Sequence, residues 1–219
     1  MYHYNHRVLL LVVTLLAASP TLVAHQSVGG NVLDGAAALL AQRFRKLDVT
    51  RVEVGQDGSP LTKLDGFAAA LEASPAPVAM LELSSADVGA QTDVDALFAV
   101  IKKRLEALAS KHPSTRIIVW TIGLSTVGRG LQGVIRNKMA SGAFGERENV
   151  KRHQLNVLLR KEYAGRLFDL AAVQSKGCSF EREKETWPCL REDFTDDGAH
   201  LNTAGRKAAG RALLQVLGQ

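Results

Sequence analysis

Thr21-Leu22-Val23-Ala24-His25-Gln26-Ser27-Val28-Gly29-Gly30-Asn31 is a short apolar run that breaks into glycines just before a helical pattern begins. Thr21 to Ala24 reads as a strand. The apolar positions Val32, Leu33, Ala36, Leu39, Leu40 and Phe44 follow at helical spacing, so Val32 to Phe44 reads as a helix. A strand feeding directly into a helix is the opening unit of a sheet built from parallel strands.

The same alternation continues downstream. Val49 to Val54 reads as a strand, Leu64 to Ala73 as a short helix, and Val78 to Leu83 as a buried strand interrupted only by Glu82. Asp93 to Leu108 is an amphipathic helix, and Arg116 to Ile122 is the clearest buried strand of the chain. Glu148 to Tyr163 reads as a helix, Arg166 to Leu170 as a last short strand, and Ala208 to Leu217 as a closing helix. Strands alternating with helices predict an α/β fold, a three-layer α/β/α sandwich around a mainly parallel sheet. Chemistry in such folds gathers beyond the carboxyl ends of the strands. Ser27 and the run Ser84-Ser85-Ala86-Asp87 both fall there. The connection from Leu124 to Arg147 is glycine-rich, carries Arg129, Arg136 and Lys138, and has the length of a functional loop.

With 219 residues, 46% apolar and 22% charged, the chain suits one globular domain rather than a disordered segment. Its net charge is +5, but Lys and Arg are spread along the chain and no nucleic-acid-binding motif is present. Arg7 followed by the uncharged stretch Val8 to Ala18 matches a signal peptide, too short to span a bilayer comfortably. Residues 1–20 are therefore expected to be removed on export to the periplasm or medium, leaving a domain over 21–219 with no membrane span. Cleavage after Ala24 instead would remove the strand that presents Ser27. Cys178 and Cys189, the only cysteines, flank the polar segment Ser179 to Pro188, which has no regular apolar period. A disulfide between them fits an oxidising compartment and contributes about 3 kcal/mol on the chain-entropy view. No zinc-type cysteine spacing occurs, and no metal or cofactor is expected.

Near the C-terminus stands Asp196-Asp197-Gly198-Ala199-His200-Leu201-Asn202-Thr203. A carboxylate three residues before an imidazole, with glycine between, lets the acid hold one ring nitrogen while the other acts as a base. Asp193 and Asp196 compete with Asp197 for that role. A base so held calls for a nucleophile, and Ser27 is the candidate; His25 is expected to pack beside it.

These blocks resemble the SGNH hydrolases, the GDSL-type lipases and esterases. Asp-Gly-Ala-His is similar to their closing DxxH, Ser27 matches the first-block nucleophile in a variant reading His-Gln-Ser-Val-Gly, and Arg152, Asn156 and Leu167-Phe168-Asp169-Leu170 resemble the elements before the last block. The resemblance implies a catalytic triad of Ser27, His200 and Asp197 acting on an ester of a small molecule or polysaccharide; the basic balance and the absence of a broad apolar lid favour a short acyl group, such as acetyl on a carbohydrate or envelope polymer. An acyltransferase on the same triad, or a binding module on the same scaffold, are the alternatives. It also implies oxyanion donors from the nucleophile's own amide, a second-block glycine amide and a third-block Asn side chain. Here the third position reads Ser84-Ser85-Ala86-Asp87, without Asn, and Gly55, Gly58 and Gly66 compete for the second. The substitutes expected are the amides of Gly29 and Gly30, Asn31 and Ser85. Nothing in the sequence specifies an oligomeric state.

Overall fold

A computed structural model describes residues 21–55, 59–128 and 145–219. The expected signal segment of residues 1–20, Gly58 and residues 129–144 of the long connection lie outside them. Five parallel strands form the central sheet in the order β2-β1-β3-β4-β5: β1 Thr21–His25, β2 Val49–Glu53, β3 Val78–Leu81, β4 Arg116–Trp120 and β5 Leu167–Phe168. Every residue of β1 is buried because the strand lies between two neighbours with helices over both faces. Its register places Thr21 opposite Val49 on one side and Val78 on the other.

Although the strands are apolar throughout, the pleat still sorts them. Leu22, Ala24, Ala79, Leu81, Ile117 and Val119 enter one core, packed by α2 (Pro60–Ala73), α3 (Val94–Lys111) and α4 (Glu146–Glu162). Val23, Met80, Ile118 and Trp120 enter the other, beneath α1 (Ser27–Ala41), the short α5 (Leu170–Ser175) and α6 (Thr203–Leu217). This is the three-layer arrangement expected from the sequence.

Helices α1 and α6 touch backbone to backbone, and two glycines make that contact possible. A Cβ on Gly35 would overlap the carbonyl of Arg206, and one on Gly210 would overlap the amide of Ala36. The contact brings the start of α1 beside the turn that precedes α6, which is where Ser27 and His200 sit.

Several boundaries differ from the expectation. Helix α1 begins at Ser27, five residues before Val32, so the two glycines lie inside its first turn. Helix α2 begins at Pro60, whose fixed φ suits the first helical position, with the Ser59 hydroxyl accepting from the Thr62 amide at 3.4 Å. The strand expected over Arg166 to Leu170 shrinks to two residues, because Leu170 already opens α5 under the Asp169 cap. Ser179 to Pro188 is an antiparallel hairpin, β6 (Ser179–Arg182) and β7 (Glu185–Pro188), rather than a loop. Its two turn residues, Glu183 and Lys184, both take positive φ (56° and 69°), the geometry that joins twisted strands through two residues. Cys178 and Cys189 are joined by a disulfide across the base of this hairpin.

Candidate active site

The chain leaves β1 at His25, turns through Gln26 in an extended conformation, and enters α1 at Ser27, which is exposed. No side chain of the turn caps this helix. A distant group does so: the carboxylate of Glu82, just past β3, accepts the Gln26 amide at 2.8 Å and also takes the Gly29 amide. Gly29 carries no side chain because a Cβ there would overlap the Glu82 carboxylate. An anion at the amino end of a helix is favourably placed by the dipole. Even so, complete burial outweighs these contacts and the nearby Lys63 ammonium, and pushes the Glu82 carboxyl up to about 7.

That shift has a stability consequence. The folded chain keeps the Glu82 proton where the unfolded chain has lost it, so stability declines as pH rises from about 4.5 to about 7, by on the order of 3 kcal/mol. In Glu82→Gln the side-chain oxygen still accepts from Gln26, and this decline should vanish. Melting curves between pH 5 and pH 8 are the check: the wild-type melting temperature should fall relative to the variant's, and parallel curves would contradict the assignment.

The opposite half of the site is the turn before α6. Asp197 organises it. Its Oδ1 accepts from the amides of Ala199 (2.9 Å) and His200 (2.8 Å) and from the Thr195 hydroxyl (3.2 Å), while Oδ2 lies 2.6 Å from His200 Nδ1. Gly198 takes a φ of 96° to make the bend, and its carbonyl accepts the Thr126 amide at 2.9 Å. Desolvation would raise the Asp197 pKa, but the two amides and the imidazole outweigh it and hold the carboxyl at about 2. A carboxylate only accepts, so Nδ1 of His200 carries the proton it donates and Nε2 is the free base. Nε2 lies 3.2 Å from Ser27 Oγ. The structure thus brings Ser27, His200 and Asp197 into one hydrogen-bonded line, open to solvent, with side-chain exposures of 51% at His200 and 54% at Asp197.

The competing acids are engaged elsewhere. Asp193 forms a two-pronged contact with Arg191, and Asp196 accepts from the Asn202 side chain. Asn202 in turn caps α6 through the amides of Ala204 and Gly205.

The residues expected to serve an oxyanion are placed differently. Asn31 Oδ1 accepts the Leu201 amide at 3.0 Å, which ties α1 to the histidine turn. The Gly30 amide donates to the Gln26 carbonyl within the helix, and the Gly29 amide is taken by Glu82. Ser85 is held by its carbonyl, which accepts from Arg152 Nε (3.2 Å) and Nη2 (2.8 Å). Arg152 is fully buried and also reaches Ser125 and Asn149; desolvation pulls its guanidinium down to about 10, still cationic at neutral pH. Asn156 exchanges two hydrogen bonds with the backbone of Ile122, fixing the chain as it leaves β4. Among the glycines, Gly66 lies within α2 facing Val54, Gly55 sits past β2 at φ 58° against the stem of Lys63, and Gly58 is outside the described residues. His25 is buried, with Nδ1 donating to the Gln26 carbonyl at 3.0 Å.

One group was missed entirely. Lys63, on α2, is completely buried beside the Ser27 turn, and its three protons go to Gln26 Oε1 (2.5 Å), Ser84 Oγ (2.8 Å) and Asp87 Oδ2 (2.6 Å). The available signal was a lysine four residues before Phe67, on the same face of an otherwise apolar helical pattern. Among the described residues no group of three or more His, Cys, Asp or Glu side chains is arranged to hold a metal ion.

No protein-family model and no curated protein matches this sequence. Solved structures do match in fold. A protein of Streptococcus pneumonia assigned as a platelet activating factor superposes with a TM-score of 0.62 at 16% identity, over 94% of this chain and 86% of its own. A protein assigned to the lipolytic G-D-S-L family from Desulfitobacterium hafniense DCB-2 gives 0.52 at 12% identity, over 91% and 99%. The periplasmic domain of a lipopolysaccharide acetyltransferase from Salmonella ser. Paratyphi A gives 0.53 at 10% identity, over 93% and 85%. The parallel sheet, its order and these superpositions show that the chain has the fold of the SGNH hydrolases, the GDSL-type lipolytic proteins.

Proposed function

We propose that the chain is an exported serine hydrolase of ester bonds, with Ser27 as nucleophile, His200 as general base and acid, and Asp197 as the group that orients it. The observation that carries this reading is the Ser27–His200–Asp197 line of hydrogen bonds on an SGNH fold. Ser27 Oγ bonds to the ester carbonyl carbon as its proton passes to His200 Nε2, and the carbonyl π electrons move onto the oxygen. Collapse of the adduct expels the alkoxide, which takes the proton from His200. Water then repeats the sequence on the acyl-enzyme, releasing the acid and restoring Ser27.

Export is supported by the disulfide, which persists in oxidising compartments, and by the signal-type sequence of residues 1–20. Among the described residues no helix is long and apolar enough to cross a membrane. The solvent-open triad favours a short acyl group on a polar alcohol, such as acetyl on a carbohydrate or envelope polymer, over a long lipid chain. Transfer to a sugar hydroxyl is the second reading, supported by the fold shared with the lipopolysaccharide acetyltransferase domain.

The purified protein should hydrolyse p-nitrophenyl acetate with kcat/KM at least tenfold above that for p-nitrophenyl palmitate. Absence of any ester turnover would sink the hydrolase reading, and preference for the palmitate would sink the substrate class. A rate that rises when a sugar acceptor is added, with an acetylated sugar as product, would favour transfer. Activity should fall on acidification as His200 takes up a proton and can no longer accept one from Ser27. Asp197, held at about 2, stays ionised through the neutral and mildly acidic range, so its own protonation adds no step to the pH profile there.

A further inference from the structure

A serine attacking an ester leaves a negative oxygen, and hydrogen-bond donors aimed at it supply much of the catalysis. In this chain the Gly29 amide is taken by Glu82, the Gly30 amide is engaged within the helix, and Asn31 is oriented by the Leu201 amide at its Oδ1. We propose that the side-chain amide of Gln26, held in place by Lys63, donates a hydrogen bond to the oxyanion. This rests on the reading of Ser27 as the nucleophile.

Four observations converge on Gln26. It immediately precedes Ser27, and its own amide is pinned by Glu82, so its backbone position is set. Lys63 Nζ lies 2.5 Å from Gln26 Oε1, and an ammonium can only donate. The oxygen is therefore the atom that faces Lys63, and the NH2 group of the same amide must face away. Gln26 is half-buried, and among the described residues its Nε2 has no hydrogen-bond partner yet is not sealed from solvent. An amide donor beside the nucleophile thus points toward water, in a fixed orientation, with no ligand of its own.

The electrostatics suit the role. The Lys63 ammonium pulls electron density from the amide through its oxygen, which strengthens the N–H groups on the far side as donors. Asp87, paired with Lys63 at 2.6 Å, balances the buried charge, and both side chains are essentially inaccessible. The positive end of this pair faces Gln26 through the contact at Oε1, so negative charge developing beyond Nε2 meets a polarised amide backed by a cation. The position after β3 that lacks an Asn, Ser84 to Asp87, supplies Ser84 and Asp87 as acceptors that hold Lys63. A donor expected from that loop is thereby replaced by one from the residue before the serine.

The test is steady-state kinetics on the full chain with p-nitrophenyl acetate. In Gln26→Glu the Lys63 acceptor is kept, the donor is lost and a negative charge is added, whereas Gln26→Ala removes the donor without adding charge. The Gln26→Glu variant should keep its melting temperature within about two degrees and its KM within about threefold, while kcat falls by about 10²–10³-fold. Gln26→Ala should lose kcat similarly, so that the result does not depend on one variant folding. Inhibition by phenylboronic acid, whose tetrahedral adduct on Ser27 mimics the anionic intermediate, should weaken in proportion to kcat/KM in both variants. A merely structural Gln26 would not produce that proportionality in a variant with wild-type stability. Folded Gln26→Glu with kcat within about threefold of wild type overturns the proposal. A wild-type protein that neither hydrolyses the ester nor binds the boronic acid would instead overturn the hydrolase reading beneath it, so the two failures are separable.

Discussion

Ser27→Ala should reduce kcat for a short p-nitrophenyl ester by about 10⁶-fold while leaving the melting temperature nearly unchanged. The size of the effect follows from chemistry rather than stability. Ser27 is exposed, its hydroxyl lies 3.2 Å from His200 Nε2, and it makes no capping hydrogen bond to α1, so its removal costs the fold little. Triad members act as a unit, and His200→Ala should therefore lose about as much as Ser27→Ala, with the double variant scarcely worse than either. Additive losses would mean that the two residues do not share one step. Wild-type turnover in Ser27→Ala would move the search to Ser84 and Ser85.

The second large effect concerns the acid. Asp197→Asn should lower kcat by about 10⁴-fold, because the amide can present its NH2 to Nδ1 and leave the imidazole in the wrong tautomer. It should also cost some stability, since Oδ1 accepts from two amides and a hydroxyl and so builds the turn itself. Asp193→Asn and Asp196→Asn are the controls. Asp193 is exposed and paired with Arg191, and Asp196 accepts a hydrogen bond from the cap residue Asn202, so each change should leave kcat within a few-fold of wild type. A damaging Asp193→Asn with a harmless Asp197→Asn would break the Asp-Gly-Ala-His assignment while sparing His200 as base.

What could be read from the sequence divides by the range of the forces involved. The alternation of strands and helices was legible because burial on both faces imposes it locally, and the Asp197–His200 turn was legible because its partners are three residues apart. The start of α1 was not. Gly29 and Gly30 look like helix breakers until Glu82, more than fifty residues away, is seen to occupy the space of a side chain at Gly29 and to take its amide. The Lys63 cluster draws its members from the β1–α1 turn, α2 and the turn after β3, and no local pattern joins them. The hairpin inside the disulfide was missed for a different reason. Its turn uses Glu183 and Lys184 at positive φ instead of the Asn or Gly that would announce it. The cysteine spacing, in contrast, was sufficient to anticipate the bridge that closes it.

The central claim is that His200 and Asp197 activate Ser27, and covalent labelling tests it most directly. The protein would be incubated with a fluorophosphonate probe and the modified peptide located by mass spectrometry. The account predicts stoichiometric modification of Ser27 in the wild type, none in Ser27→Ala, and a rate of labelling reduced by several orders of magnitude in His200→Ala. No labelling of the folded wild type, or a label on Ser84 or Ser85 with Ser27 unmodified, would contradict it.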